Sequence, residues 1–330
     1  MPVPYEKSHL TYEDQVELLR SRGLTVPDRT AALRLLRAVG YYRLSAYVYP
    51  FRDMLPESAQ RVASPTHYRA ETIRAGTSLA DVEALWQFDR KLRLLVLDAV
   101  EAVEIGLRTK VAYTLGARDR FGHVNPGALN EKACRELYWH DRRNDDSRHK
   151  VWLDQYDKLL ADSKEDFVRH NAHKYEELPI WVGVEVLTFG ALSRPFGLLR
   201  QEDQTLIARE LGIKGGSLLA SWIETVNYLR NVAAHHSRLW NRTTTYKMRG
   251  QKPGQVEPDL THLTSGTPTD KVYSSLAVTA YLIRRIDPQS NWPRTLMTHM
   301  RKFPTSTGMS PEGEMGFPDG WDQLDLWRSP

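Results

Sequence analysis

Cysteine occurs once in these 330 residues, at Cys134, so no intrachain disulfide can form and no Cys-rich metal knuckle can be built. With no basic stretch followed by an apolar run in Met1 to Leu10, no export signal is expected, and the scarcity of cysteine fits a reducing, bacterial-type cytoplasm. Long apolar runs are missing as well. The most apolar segment, Leu92 to Val103, is cut by Arg93, Asp98 and Glu101, so neither a membrane span nor a membrane partner is expected. The sequence shows no internal repeat, heptad run or low-complexity block. It also lacks a large charge excess: 45 Lys and Arg face 41 Asp and Glu, and the net +4 favours polyanions only mildly.

What the chain does have is helix signals and, at 41% apolar residues, enough material for a sizeable core. Thr11 with Asp14 forms a capping box before Val16, Leu18 and Leu19, and Gly23 stops the run. A second helix fits Asp28 to Val39, closed by Gly40. The aromatic stretch Tyr41 to Tyr49 follows, then a polar connection from Pro50 to about Gly76 with room for a short strand or an irregular loop. Ser78 and Asp81 open the strongest helix, whose apolar residues Leu85, Phe88, Leu92, Leu95, Val96, Ala99 and Val103 keep helical spacing to about Leu115. If straight it would be roughly 55 Å long, with Gly106 as a place to bend.

Residues 116–177 are polar, with one or two exposed helices expected around Val151 to Leu160. Helical segments then fit Pro179 to Leu187, a turn around Phe196 to Leu199, and Asp203 to Glu210, ended by Gly212. Ser217 is the expected cap of the next helix, which runs on through Arg242. A final apolar helix, Val272 to Ile286, should pack on the bundle, with a mobile tail after Pro304. The expected fold is all-α. Its segments are an N-terminal helical part (1–76), a helical core with a polar insert around 117–178 (77–245), and a C-terminal extension (246–330).

Chemistry concentrates in Leu229-Arg230-Asn231-Val232-Ala233-Ala234-His235-His236-Ser237-Arg238-Leu239-Trp240-Asn241-Arg242. At about 100° per residue, Asn227, Asn231, His235, Arg238 and Arg242 share one helical stripe, while Val226, Leu229, Ala233 and Trp240 form an apolar one. Two Asn, one His and two Arg are an inventory suited to a phosphate. Arg230 sits about 140° from His235 on an ideal helix, so convergence on one phosphate needs a swung guanidinium arm or a second copy of the helix across a dimer axis.

In RNA the 2′-hydroxyl lies beside the scissile phosphate, so a base and a cation suffice for cleavage and neither metal nor cofactor is required. The His235 imidazole can serve as base or acid, and the Arg230 guanidinium can bind phosphate oxygens bidentately. A 2′,3′-cyclic phosphate and a 5′-hydroxyl are the expected products.

The segment resembles the signature of the abortive-infection (Abi, AbiD/AbiF-like) family of bacterial phage-defence proteins, and the similarity extends along the chain. Gln15, Leu18-Leu19, Arg22-Gly23-Leu24 and Gly40 to Tyr47 match the family's opening pattern. Leu85-Trp86, Phe88 to Arg93, Glu101, Glu104, Leu107 and Arg108 match its middle pattern. Pro179, Trp181, Glu185, Thr188-Phe189-Gly190 and Leu192-Ser193 precede Arg230-Asn231 and Ala234 to Arg242. Family members resemble HEPN ribonucleases, toxins built as dimerising helical bundles. The resemblance implies a HEPN-like fold, catalytic roles for Arg230 and His235 with Asn231 as polar support, a homodimer, and RNA as substrate. It also implies a structured noncoding RNA as a further partner. The alternative is a noncatalytic protein that assembles with or sequesters a structured RNA.

Several other features have two readings. Glu101, Glu104 and Arg108 share a face, either as an internal ion-pair stripe or with Glu104 or Arg108 bordering the cleft and orienting His235. His236 is a packed or hydrogen-bonded partner rather than a second base. Arg43 among its tyrosines is either a stacking platform with a phosphate contact or part of a packed seam. The first two helices also permit a DNA-reading helix-turn-helix. His140, His149, His170 and His173 lack a regular ligand spacing, which favours a solvated insert over a zinc site. Gly215-Gly216 offers a weak anion cradle at a helix start.

Overall fold

A computed structural model describes residues 4, 6, 8–60, 68–138, 146–244, 248–264, 267–305 and 308–328. Among the described residues the fold is all-α apart from one two-stranded sheet. The helices are α1 (Tyr12–Ser21), α2 (Arg29–Val39), α3 (Tyr41–Val48), α4 (Leu79–Arg118), α5 (Glu131–Arg135), α6 (Arg148–Asp162), α7 (Asp166–Lys174), α8 (Ile180–Gly183), α9 (Phe189–Phe196), α10 (Gln201–Glu210), α11 (Gly216–Ala234), α12 (Val272–Ile286), α13 (Trp292–Met300), α14 (Pro311–Met315) and α15 (Asp325–Arg328). Two compact units emerge, 1–91 with 299–314, and 92–298 with 315–330, so their boundary falls inside α4.

In the first unit the expected caps are in place. The side chains of Thr11 and Asp28 accept from the amides of Asp14 and Ala31, and Ser78 and Asp81 cap each other reciprocally. Gly40, at φ 81°, both ends α2 and starts α3, a conformation that glycine adopts without a Cβ penalty. The connection after α3 forms the antiparallel pair β1 (Arg52–Met54) and β2 (Arg69–Ile73). Tyr47 is buried and donates a 2.6 Å hydrogen bond to the fully buried Asp89. Tyr42 is 91% exposed beside the exposed Arg43.

In the second unit the polar insert is more organised than its composition suggests. His123, His149, Trp152 and Tyr156 pack as one aromatic cluster, with Trp152 and Tyr156 stacked 5.4 Å apart. His149 and His123 are therefore core residues rather than parts of a solvated loop. Burial is the main cause that lowers the pKa of His123 to about 4. His140 lies outside the described residues.

Helix α12 occupies the bounds expected for it, and its residues from Val272 to Ile283 are all buried. The segment after Pro304, expected to be mobile, instead supplies Met315, Phe317, Trp321, Leu326 and Trp327 to the core, with Phe317 4.6 Å from Tyr273. Helix α4 runs unbroken through Gly106, where a Cβ would lie 2.4 Å from Ile286 Cγ2, so the glycine permits a close helix contact.

Candidate functional site

Helix α11 is positioned by its apolar side. Leu218, Leu219, Trp222, Ile223, Val226, Leu229, Val232 and Ala233 are buried at three- and four-residue spacings, against α9, α10 and α12. Its start is set by packing: Gly215, not Ser217, is the N-cap, with φ 127°, and a Cβ on Gly216 would come within 2.4 Å of Gln204 Cβ. The glycine pair thus lets α11 meet α10, and Ser217 Oγ accepts from Arg249 instead.

The far end departs from expectation. Helix α11 stops at Ala234, with His235 as its C-cap. The amide of Ser237 donates to the Val232 carbonyl and that of His236 to the Ala233 carbonyl, the bond pattern of a Schellman stop. His236 fills the left-handed position at φ 55°, the one non-glycine residue with positive φ among the described residues. The predicted polar stripe therefore ends at His235, whose amide still donates to the Asn231 carbonyl, and does not continue to Arg238 and Arg242. Burial beyond the stop supplies the reason: Leu239 and Trp240 are 1% and 0% exposed, and the chain turns to bury them.

The stop leaves His235 and His236 exposed, and the His235 imidazole makes no hydrogen bond among the described residues. Arg238 is half-buried. Arg242 returns to α11, where its Nε donates to Tyr228 Oη at 2.7 Å and its guanidinium lies 5.7 Å from the Tyr228 ring centre. The buried Arg93 of α4 makes a long 3.5 Å contact to the Ser237 carbonyl. Both tethers escaped the sequence reading, although a lone Arg within the apolar run of α4 was the available signal for Arg93.

Arg230, on the last turn of α11, is half-buried and donates to Asn231 Oδ1 at 3.2 Å. It lines a pocket of about 350 Å³ with Glu101, Glu104 and Arg108 of α4. Arg108 is committed elsewhere, to Glu104, to the Leu187 carbonyl and, at 3.5 Å, to Glu185. Arg230 makes no ion pair among the described residues. Glu104 and Arg108 thus border Arg230; His235 does not line that pocket. Asn227 and Asn231 face a separate cleft of about 850 Å³. Arg43 belongs to the first unit.

The fold and this site define a helical protein with an exposed histidine immediately after a helix whose last turn carries an arginine that makes no ion pair among the described residues. The chain belongs to the Abi-like protein family, whose model matches residues 34–241, and it is accordingly of the abortive-infection, phage-defence type. No curated protein and no solved structure matches it. No helix among the described residues is long and apolar enough to cross a membrane.

Proposed function

We propose that this chain is a HEPN-type endoribonuclease in which His235 exchanges the proton of the RNA 2′-hydroxyl and Arg230 stabilises the charge on the five-coordinate phosphorus. The observation that carries this reading is the Schellman stop after Ala234. It leaves an imidazole in solvent five residues beyond an arginine that makes no ion pair among the described residues, in a pocket that Glu101 and Glu104 also line. An imidazole serves as base or acid, and a guanidinium holds two phosphate oxygens at once. Asn231 accepts from Arg230 and so restricts its rotamers, a supporting role.

Two copies of the site acting together remain part of the proposal. Leu94 and Ile105 are 49% and 54% exposed on α4, and Ile105 lines the Arg230 pocket with Leu97. Leu97 and Ile105 beside Arg230 would suit contact with a second copy of the chain, whose own motif would then lie nearby.

Purified protein should nick RNA in the presence of EDTA. His235→Ala should reduce nicking by at least about a hundredfold, the typical contribution of one positioned acid–base group. Arg230→Ala should weaken it comparably with the fold retained by circular dichroism. Cleavage that survives His235→Ala removes His235 from the reaction.

A further inference from the structure

The solvent-facing side of α4 carries an aromatic path that leads away from the Arg230 pocket. Resting on the RNA reading above, we infer that this path holds the single-stranded RNA flanking the cut, whose bases stack on Tyr113, Trp181 and Tyr175 whatever their identity.

Helical geometry supplies the continuity. Ile105, at the Arg230 pocket, and Gly116 lie eleven residues apart on the unbroken α4, which sets them within about 20° of one face and roughly 16 Å along the axis. Thr109 and Tyr113 are exposed between them, and Tyr113 is 79% exposed. The Trp181 indole closes the far end, where a Cβ on Gly116 would come within 3.2 Å of its Cε3. At the near end Arg108, which lines the Arg230 pocket, donates to the Leu187 carbonyl. The stretch that bears Trp181 is therefore tied to α4 at both ends of the path.

The far end has the parts of a single-strand platform, aromatic rings beside cations. Trp181 and Tyr175 are half-exposed and line a pocket of about 590 Å³ with Arg120 and Lys174. The two cations lie 5.6 Å and 5.3 Å from the Phe121 and Tyr175 ring centres and make no ion pair among the described residues. Glu176 and Glu177 line the same pocket, so its formal charges balance. A nucleotide answers both signs, its phosphate to the cations and its base N–H groups to the carboxylates, which a bare phosphate does not. Stacking uses the π-face that every base has, so the path grips the strand and leaves the choice of sequence open.

The test is fluorescence anisotropy of labelled oligo(A) and oligo(U) dodecamers on full-length His235→Ala protein. Adding Trp181→Ala should weaken both about tenfold, the loss of one base stack, whereas Trp181→Phe keeps a ring and most of the binding. Tyr113→Ala should weaken both several-fold. Because Tyr113 is so exposed, its removal should leave the melting temperature unchanged, and it decides the matter if Trp181→Ala fails to fold. Lys174→Gln should lower the slope of log affinity against log salt by about one. Binding that survives both alanine variants, or a loss confined to one of the two oligomers, overturns the stacking path and leaves the RNA reading intact. Binding of neither oligomer before these changes overturns both.

Discussion

His236 occupies a position that most helices give to glycine. A non-glycine residue in the left-handed region costs about 1 kcal/mol or more, so the Schellman stop holds stored strain between Arg230 and the chain's return to Leu239 and Trp240. His236→Gly should therefore raise stability by roughly 1 kcal/mol, read as an increase in melting temperature, and should leave the proposed RNA cleavage in place because the proposal assigns the proton transfer to His235. A loss of cleavage with a gain in stability would transfer the proton-moving role to His236. The stop itself was not legible in the sequence. Ala233-Ala234-His235-His236 contains neither Gly nor Pro, and its spacing continues the helix, so only the burial of Leu239 and Trp240 reveals the turn. Arg230 and Asn231 were legible because they lie within the regular part of α11.

Close glycine contacts fix α4 and α11 against their neighbours. At Gly216 an added Cβ would meet the Cβ and the backbone of Gln204, atoms that cannot swing away, so Gly216→Ala should cost about 1–3 kcal/mol in urea denaturation. At Gly106 the obstacle is the side chain of Ile286, so the cost of Gly106→Ala should be recovered in Gly106→Ala with Ile286→Ala. A melting temperature that rises in Gly106→Ala alone would mean that helix propensity outweighs this packing. Caps and apolar periodicity made α1, α2 and α12 readable in advance. The C-terminal segment was misread because Pro and Gly punctuate it, although Met315, Phe317, Trp321 and Trp327 were a visible signal of burial.

Acid should loosen the whole molecule in a way that the insert makes specific. His123 is 2% exposed, its Nε2 lies 3.2 Å from the Tyr156 hydroxyl, and burial holds its pKa near 4 against an ordinary 6.5. Asp119 pulls that value up and His149 pushes it down, both by less than burial does. The unfolded chain thus binds a proton that the folded chain refuses between about pH 6.5 and 4. Stability is full above that window and falls through it by roughly 3 kcal/mol. His123→Gln should flatten this share of the acid-side decline; an unchanged profile would remove His123 as its source. The buried histidines escaped a composition-based reading because polar residues surround them in sequence, whereas their neighbours in space are Trp152 and Tyr156. Membership in the Abi-like family was legible because its motif residues run in order along the chain; the family model matches residues 34–241, so the resemblance read at Gln15 to Leu24 lies outside the match. The reaction proposed for this chain is RNA cleavage through the 2′-hydroxyl by His235 and Arg230. The most direct measurement maps the ends of an RNA oligonucleotide cut in EDTA, then repeats the assay with a single 2′-deoxy substitution at the cut site. A 2′,3′-cyclic phosphate that disappears with the substitution is the predicted result, and cutting that persists at the deoxy position would contradict it.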